Sequence, residues 1–97
     1  MLKIGFGPEG AVVIAGRLDA AQAATAQAFL DSVNGSVVLD CTALEYLSSA
    51  GLGVPLKTQK RLKAASGALR LTGVNRHVHD IFRYAGFDQI FEITAAP

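Results

Sequence analysis

The stretch "SVVLDCTALEYLSSAGLG", residues 36–53, decides the fold of this chain of 97 residues. It begins with a continuous apolar run, Val37 to Leu39, which predicts a strand that is buried on both faces and therefore central in its sheet. It ends with Ser48 and Ser49, which precede small residues and a long amphipathic run. Serine is a preferred N-cap, because its oxygen accepts a hydrogen bond from a free backbone N–H. The stretch therefore predicts a central strand that leads into a helix capped by Ser48 or Ser49.

The helix that follows is predicted over "LGVPLKTQKRLKAA", residues 52–65, because its leucines recur at helical spacing with basic residues between them. The pair Ser66-Gly67 is expected to end it. Pro55 falls just past the first turn, where a proline removes one backbone hydrogen bond. We therefore expect a local bend in this helix.

Two strands and a helix are predicted before this stretch. In "LKIGFGPEGAVVIAG", residues 2–16, apolar residues alternate on both sides of a Pro/Gly turn, which is typical of two short strands. The alanine-rich segment "RLDAAQAATAQAFLDSV", residues 17–33, has no internal Gly or Pro and favours a helix. Asp19 is expected to cap its start and Asn34-Gly35 to end it.

A strand, a helix and a short terminal segment are predicted after it. "ALRLTGV" alternates apolar and polar residues, and "NRHVHDIFRYAGF" is an amphipathic helix that begins at Asn75 and ends at Gly86. The segment "IFEI" completes the core. The expected apolar face of the helix consists of Val78, Ile81, Phe82, Tyr84 and Ala85.

The element order, β-β-α-β-α-β-α with a short terminal element, predicts an α/β fold. Strands separated by helices are connected by right-handed crossovers, so we expect a single mixed, largely parallel β-sheet with helices packed on it. The length and the hydrophobic fraction of 51% suit one core, and we expect a single domain over residues 1–97.

Composition argues against several classes of function. The net charge is +1, which disfavours nucleic-acid binding, and the basic cluster of Lys57, Lys60, Arg61 and Lys63 is interpreted as a solvated helix face. Cys41 is alone and lies among apolar residues, so we expect a small core residue rather than a reactive thiol. No run approaches the ~20 apolar residues of a membrane span, and glycine and proline interrupt any signal-like segment. We expect a cytoplasmic chain without direct membrane insertion.

Ser48 and Ser49 also permit a second interpretation, a phosphate-accepting switch. In α/β sheets, functional groups collect at the carboxyl edge, where a strand ends and the next helix begins. Ala50 would leave the serine uncrowded, and Gly51 would let another backbone approach closely. Capping alone accounts for a serine here, so these residues by themselves do not establish the switch.

Four segments resemble the STAS domain of bacterial anti-sigma-factor antagonists, and they keep that family's order and spacing over nearly the whole chain. They are "GRLDA" at 16–20, "VVLDCTALEYLSSAGLGV" at 37–54, the "LRLTGV" strand and "VHDIFRYAGFDQIFEI". The family's serine segment usually reads aspartate, serine, serine or threonine, glycine. Here those positions are Ser48, Ser49, Ala50 and Gly51.

The resemblance implies a binding module that is not an enzyme and needs no cofactor. In such families the unphosphorylated antagonist binds an anti-sigma factor, usually a GHKL-type serine kinase, which then phosphorylates it, and a PP2C-type phosphatase resets it. By position Ser49 would be the acceptor, with Ser48 as the alternative, and Asp19 matches an acidic position that flanks the acceptor. The implied partner interface consists of Asp19, Ser48, Ser49, Ala50, Gly51 and Leu52.

Ser48 departs from the family pattern, because it stands where the family usually has aspartate. Any role of that carboxylate in orienting the acceptor or meeting the kinase is lost or changed. The departure keeps a rival open, in which the chain is a STAS subunit of a membrane-associated ABC-transporter assembly. That subunit would use the same face as an interface without phosphorylation.

A hydrolase that used Ser49 with His77 or His79 as its base is not supported. The stretch "YLSSAG" lacks the glycine two residues before the serine that a nucleophile elbow needs. The histidines lie two apart at a helix start and point in different directions. A His-x-His metal pair would need further ligands, which the sequence does not mark. We expect no catalytic residues and no metal site.

Overall fold

The structure, a computed structural model, describes residues 1–96 as a five-stranded sheet with three α-helices. Pro97, the last residue of the predicted domain, lies outside the described residues. In chain order the elements are β1 (Leu2–Phe6), a 3-10 turn (Pro8–Gly10), β2 (Val12–Leu18), α1 (Ala23–Leu30), β3 (Ser36–Leu47), α2 (Ser49–Ala64), β4 (Ala68–Val74), α3 (Arg76–Tyr84) and β5 (Glu92–Ala95).

The five strands lie in the order β1-β2-β3-β4-β5. Strand β1 pairs with β2 antiparallel, and the other three pairs are parallel. The mixed, largely parallel sheet and the central position of β3 are confirmed. Each helix joins two neighbouring parallel strands, and the order runs in one direction. Right-handed crossovers therefore place all three helices on the same face of the sheet.

The buried side chains of β3 lie on one face of the sheet. They are Val37, Leu39, Cys41, Leu44 and Leu47, and they join the buried residues of the three helices in one core cluster. No β3 residue between them is buried. The prediction that β3 is buried on both faces was wrong, because the strand order leaves the second face of the sheet without helices. We call this second face the open face; it carries Lys3, Arg17, Glu45 and Arg70.

Strand β3 contains two irregularities in its pairing with β2. The pairs Val13↔Asp40 and Ala15↔Ala43 enclose the first extra residue, and the pairs Gly16↔Leu44 and Arg17↔Tyr46 enclose the second. Each extra residue on β3 is a β-bulge, which shifts the alternation of side chains between the two faces. Buried residues therefore recur every third position at the end of β3, a pattern that simple alternation does not predict.

Helix α1 is shorter than predicted at both ends. Asp19 does not cap it: its carboxylate accepts a hydrogen bond from the backbone N–H of Gln22 (3.2 Å) and closes a turn ahead of the helix. The helix ends at Leu30 rather than at Asn34-Gly35. Helix propensity is a weak predictor of where a helix begins and ends, because tertiary context can override it. The alanine-rich composition of residues 17–33 therefore did not fix the ends of α1.

Arg61 is the residue that meets the end of α1. Its guanidinium donates to the carbonyl oxygens of Leu30 (2.9 Å) and Val33 (2.6 Å) and lies 3.4 Å from the side-chain oxygen of Asn34. Lys57, Lys60 and Lys63 are exposed as predicted, but the assignment of Arg61 to the solvated face was wrong. Its partners are about 30 residues away in sequence, so helical spacing does not reveal them.

Helix α2 continues through Pro55, which is its seventh residue and is buried. The bend expected at Pro55 stays a prediction. The end of α2 is confirmed at Ser66-Gly67: the N–H of Gly67 donates to the carbonyl of Leu62 (2.7 Å), and Ser66 takes the positive φ of 66°. A Cβ on Gly67 would collide with the carbonyl of Gly35, so packing requires glycine here rather than at position 66.

Helix α3 begins as predicted, with Asn75 as its N-cap and the Asn75 side chain accepting from the N–H of Val78 (2.8 Å). Val78 and Phe82 are buried, and Gly86 follows the helix with φ 77°. The placement of Tyr84 and Ala85 on the apolar face was wrong. Tyr84 is 80% exposed because two residues turn the helix about 200° from Phe82, and the exposed Ala85 lies beyond the helix end.

Strand β5 begins two residues later than the predicted segment. Ile90 and Phe91 precede it, and the buried Phe91 packs edge-on against Phe82 with ring centroids 5.4 Å apart. Among residues 1–96 there is no helix with the length and apolar character needed to span a membrane.

Candidate functional site

Ser48 is the residue that caps α2. Its backbone is extended (φ −84°, ψ 171°), and its hydroxyl oxygen accepts from the N–H of Gly51 at 3.0 Å. Its carbonyl oxygen accepts from the N–H of Leu52 at 2.7 Å and starts the helical ladder. The expectation that one of the two serines caps the helix is confirmed, and the structure assigns the cap to Ser48.

Ser49 is the first residue of α2, and it is exposed. The first N–H groups of a helix lack intrahelical partners and carry the positive end of the helix dipole, so this position favours negative charge. The first turn of α2 contains no acidic side chain. An anion attached to Ser49 would therefore meet favourable electrostatics from the helix itself.

The end of β2 packs directly against the start of α2. The N–H of Ser48 donates to the carbonyl of Leu18 at 3.0 Å, and a Cβ on Gly51 would collide with that same carbonyl. Gly51 is thus required for close backbone approach, as its sequence context suggested. Asp19 follows Leu18 immediately and is partly buried, so the structure brings its segment of chain beside the two serines.

Of the remaining residues of the expected interface, one lies on the surface and two are buried. Ala50 is exposed, whereas Gly51 and Leu52 are buried beneath it. Leu52 belongs to the core cluster, so its side chain supports this surface from below. We call the accessible set, Asp19, Ser48, Ser49 and Ala50, the serine edge.

A shallow groove between α1 and α2 adjoins the serine edge. It encloses about 230 Å³ and is lined by Ala23, Ala24, Gln27, Ala50, Gly53, Val54 and Lys57. Apart from Ala50, the interface expected from sequence did not include these residues. The small residues Ala50 and Gly53, three apart on α2, were the sequence signal that could have indicated a groove. The other wall of the groove is α1, which is distant in sequence, so this signal alone did not predict it.

The two histidines take no part in the serine edge. His77 is exposed and stacks on Tyr46, with ring centroids 6.3 Å apart, and His79 is partly buried. In the part of the chain that the structure describes, no hydrogen bond joins either of them to Ser49, and no group of three or more His, Cys, Asp or Glu side chains is arranged to hold a metal ion.

Cys41 and Asp40 lie side by side on β3 but face different environments. Burial, with a smaller contribution from the charge of Asp40, raises the pKa of the Cys41 thiol to about 12. Cys41 is buried in the core cluster, which confirms it as a core residue, and its raised pKa disfavours the reactive thiolate. Hydrogen bonds from the hydroxyl and the N–H of Thr42 lower the pKa of Asp40.

Comparison with known proteins gives one family and several structural relatives. Residues 6–94 match the family described as "Mlab, STAS domain". A relative from Bordetella bronchiseptica, "Putative anti-sigma factor antagonist BtrV", is 41% identical over 64 residues, which are 66% of this chain and 55% of the relative. The chain thus spans about half the length of this curated relative.

Two solved structures share the fold at low identity. The Bacillus anti-sigma factor antagonist SpoIIAA, in its unphosphorylated form, superposes with a TM-score of 0.75 at 20% identity, over 96% of this chain and 87% of its own. A sulfate transporter family protein of Wolinella succinogenes superposes with a TM-score of 0.73 at 15% identity, over 87% of this chain and 74% of its own. Because both have the same fold, the fold alone does not decide between their functions.

Proposed function

The chain belongs to the STAS domain family, and on that premise we propose that it is an anti-sigma-factor antagonist that is switched by phosphorylation of Ser49. In its unphosphorylated form it binds an anti-sigma factor of the GHKL-type serine kinase class through the serine edge. Phosphorylation releases this partner, and a PP2C-type phosphatase restores binding. The cytoplasm is the location predicted for this cycle.

One observation carries the proposal: the two serines have different structural roles. Ser48 uses its side-chain oxygen to cap α2, whereas Ser49 is exposed and no hydrogen bond of its side chain is present among the described residues. Modification of Ser48 would disturb the bond to Gly51, and modification of Ser49 would leave the cap in place. This difference supports Ser49 as the acceptor, with Ser48 as the alternative.

The electrostatics of the serine edge fit a switch that acts at the surface. A phosphate on Ser49 would add about 1.5 to 2 negative charges. The start of α2 tolerates an anion, so the domain stays folded. A partner surface that fits a neutral hydroxyl would instead have to desolvate this charge, and Asp19 would add to the negative potential. Phosphorylation would therefore weaken the complex without unfolding the domain.

A second candidate is a constitutive interface in a transporter-associated assembly. The neutral Ser48 in place of the family's usual aspartate supports it, since a permanent interface has no need of a carboxylate beside an acceptor. The groove between α1 and α2 would contribute to such an interface. In this case Ser49 would be a helix residue without a regulatory role.

The test is a capture experiment from the source cell with four baits: wild type, Ser49→Ala, Ser49→Asp and Ser36→Asp. Ser36 is an exposed serine at the start of β3, so Ser36→Asp adds the same charge at the opposite edge of the sheet. We expect wild type, Ser49→Ala and Ser36→Asp to retain a small ATP-binding kinase that Ser49→Asp loses. Mass spectrometry of the captured proteins and of the phosphorylated chain provides the readout.

Retention of the same partner by all four baits would overturn the switch. If that partner is a transporter ATPase, the second candidate replaces the first. A phosphate found on Ser48 instead of Ser49 would keep the switch but move its acceptor.

A further inference from the structure

Three side chains from three different elements stack on one another at the carboxyl end of the sheet. The guanidinium carbon of Arg17 on β2 lies 4.3 Å from the ring centroid of Tyr46 on β3. The ring of His77 on α3 stacks on that of Tyr46, with the two ring centroids 6.3 Å apart and an angle of 23° between the ring planes. Arg17 and His77 are exposed, and Tyr46 is partly buried. We call this group the Arg-Tyr-His stack.

The second bulge of β3 brings Tyr46 to Arg17. Gly16 pairs with Leu44, so a regular strand would pair Arg17 with Glu45, an adjacent opposite charge. The extra residue instead pairs Arg17 with Tyr46. Bulges often re-aim a side chain close to a functional site. This one places an aromatic ring where a neutralising carboxylate would otherwise stand.

The charge of Arg17 is not used within the described part of the chain. The ion pairs there are Arg70–Glu92 and Arg83–Asp80, and neither includes Arg17. Its side chain also makes no hydrogen bond to residues 1–96. The carboxylates closest to it in sequence and in strand register are Asp19 and Glu45. An exposed arginine that lies on a ring, and that has no carboxylate partner among residues 1–96, complements a partner of negative charge.

The chemistry of a stacked guanidinium favours a carboxylate. When its face rests on an aromatic ring, its N–H groups remain available at the edge, and their fork matches the two oxygens of a carboxylate. Arginine and tyrosine are also the residue types that are most enriched where protein partners bind tightly. The tyrosine restricts the arginine before binding, so less side-chain entropy is lost in the complex.

The stack borders the serine edge along both strands. Arg17 is followed by Leu18, whose carbonyl accepts from the N–H of Ser48, and Tyr46 lies two residues before Ser48. A protein that covers the serine edge would therefore also reach the stack. This continuity makes a protein partner the occupant that the geometry favours.

We propose that the Arg-Tyr-His stack is a second contact of the partner surface and binds a glutamate or aspartate side chain of the partner protein. The identity of the partner rests on the proposed function, but the affinity of the stack for a carboxylate does not depend on phosphorylation. The contact would supply orientation and affinity, and the serine edge would supply the switch.

The test is an NMR titration of the full chain with a capped peptide of alternating Glu and Ala, and with the same peptide in which Gln replaces Glu. Arg17→Gln is the test variant. Arg70→Gln is the matched control, because Arg70 is also an exposed arginine on the open face. We expect saturable shifts of the Arg17 side-chain N–H and of the Tyr46 and His77 rings with the Glu peptide only. Binding should weaken about twofold to fivefold in Arg17→Gln, as for loss of an exposed ion pair, and should be unchanged in Arg70→Gln.

Four results would overturn the proposal. Three come from the peptide titrations: equal shifts with the Gln peptide, shifts centred on Lys57, Lys60 and Lys63, and full binding by Arg17→Gln. The fourth comes from a titration with inorganic phosphate: tighter binding of phosphate than of the Glu peptide would reassign the stack to phosphate. The titration uses no kinase, so failure of the Ser49 switch and failure of this contact are seen in separate experiments.

Discussion

The two ends of α2 each contact the rest of the chain through a glycine packed against a backbone carbonyl, but their polar side chains differ in accessibility. At its start, Gly51 lies against the carbonyl of Leu18, and just past its end Gly67 lies against the carbonyl of Gly35. Near the end, the guanidinium of Arg61 donates to the carbonyls of Leu30, the last residue of α1, and of Val33. At the start, Ser48 makes the cap and Ser49 remains exposed.

On the proposed function, this difference separates a structural edge of the sheet from one that binds a partner. Where polar side chains form hydrogen bonds with the chain's own backbone, substitution should affect stability alone. Where they remain accessible beside a rigid backbone contact, addition of a negative charge should affect binding with little effect on stability. The following predictions test that division.

Substitution of Gly51 or Gly67 by alanine has the largest expected effect. Each new Cβ would collide with a backbone carbonyl oxygen that cannot move without shifting a strand end. We expect either variant to lose about 3 kcal/mol of unfolding free energy, the upper part of the usual range for overpacking. Urea unfolding followed by circular dichroism would measure it.

Gly53→Ala is the matched control, because nothing lies within 4 Å of a Cβ built at this helical glycine. It should gain up to about 1 kcal/mol, since alanine is the better helix former. A loss below about 1 kcal/mol in Gly51→Ala would mean that the Leu18 contact is easily relaxed. The start of α2 would then be less rigid than its end.

Arg61→Met should have the next largest effect. It keeps an unbranched side chain but removes the donor to the carbonyls of Leu30 and Val33, which should cost about 2 kcal/mol of unfolding free energy. The buried Nε of Arg61 has no partner among the described residues, which offsets part of the gain from these bonds.

Lys60→Met, at an exposed neighbour, should stay within about 0.5 kcal/mol of wild type. Partner capture should be unchanged in both variants, because both positions lie toward the structural end of α2. Loss of the captured partner in a folded Arg61→Met protein would contradict the division between the two ends.

Alanine substitutions of Ser48 and Ser49 have the smallest expected effect on stability, and they should differ from each other. Ser48→Ala should lose about 1 kcal/mol of unfolding free energy, because the N–H of Gly51 loses its acceptor. Ser49→Ala should stay within about 0.5 kcal/mol of wild type, because its side chain is exposed. Thermal and urea unfolding would measure both, and phosphorylation by the captured kinase should be lost only in Ser49→Ala. Equal losses of stability would show that Ser49 shares the cap.

Local patterns predicted the parts of this molecule that depend on local backbone chemistry. Asn75 was recognised as the cap of α3, and a serine cap was recognised at the start of α2, because each acceptor bonds an N–H three residues later. The sequence left the α2 cap open between Ser48 and Ser49. The element order and the central β3 also followed from apolar runs and turn residues. Asp19 was mistaken for a helix cap because an acidic residue ahead of an alanine-rich segment looks the same whether it closes a turn or starts the helix.

Long-range contacts account for the features that local patterns did not predict. Arg61 was interpreted as solvated, yet its acceptors are carbonyls at the end of α1 and in the loop after it. The apolar run of β3 was read as doubly buried, although one face of the sheet has no helices. The groove beside Ser49 needs two helices, and the stack needs a bulge that pairs Arg17 with Tyr46.

The amino-acid sequence by itself determined the order of strands and helices, the capped start of α2 and the family to which the chain belongs, because these depend on neighbours along the chain. Only the tertiary structure decided which serine is accessible, which basic side chain bonds to backbone carbonyls and which residues share the carboxyl edge of the sheet. Those outcomes depend on strand register and on the approach of distant backbone segments, such as the carbonyl of Leu18 to Ser48 and Gly51.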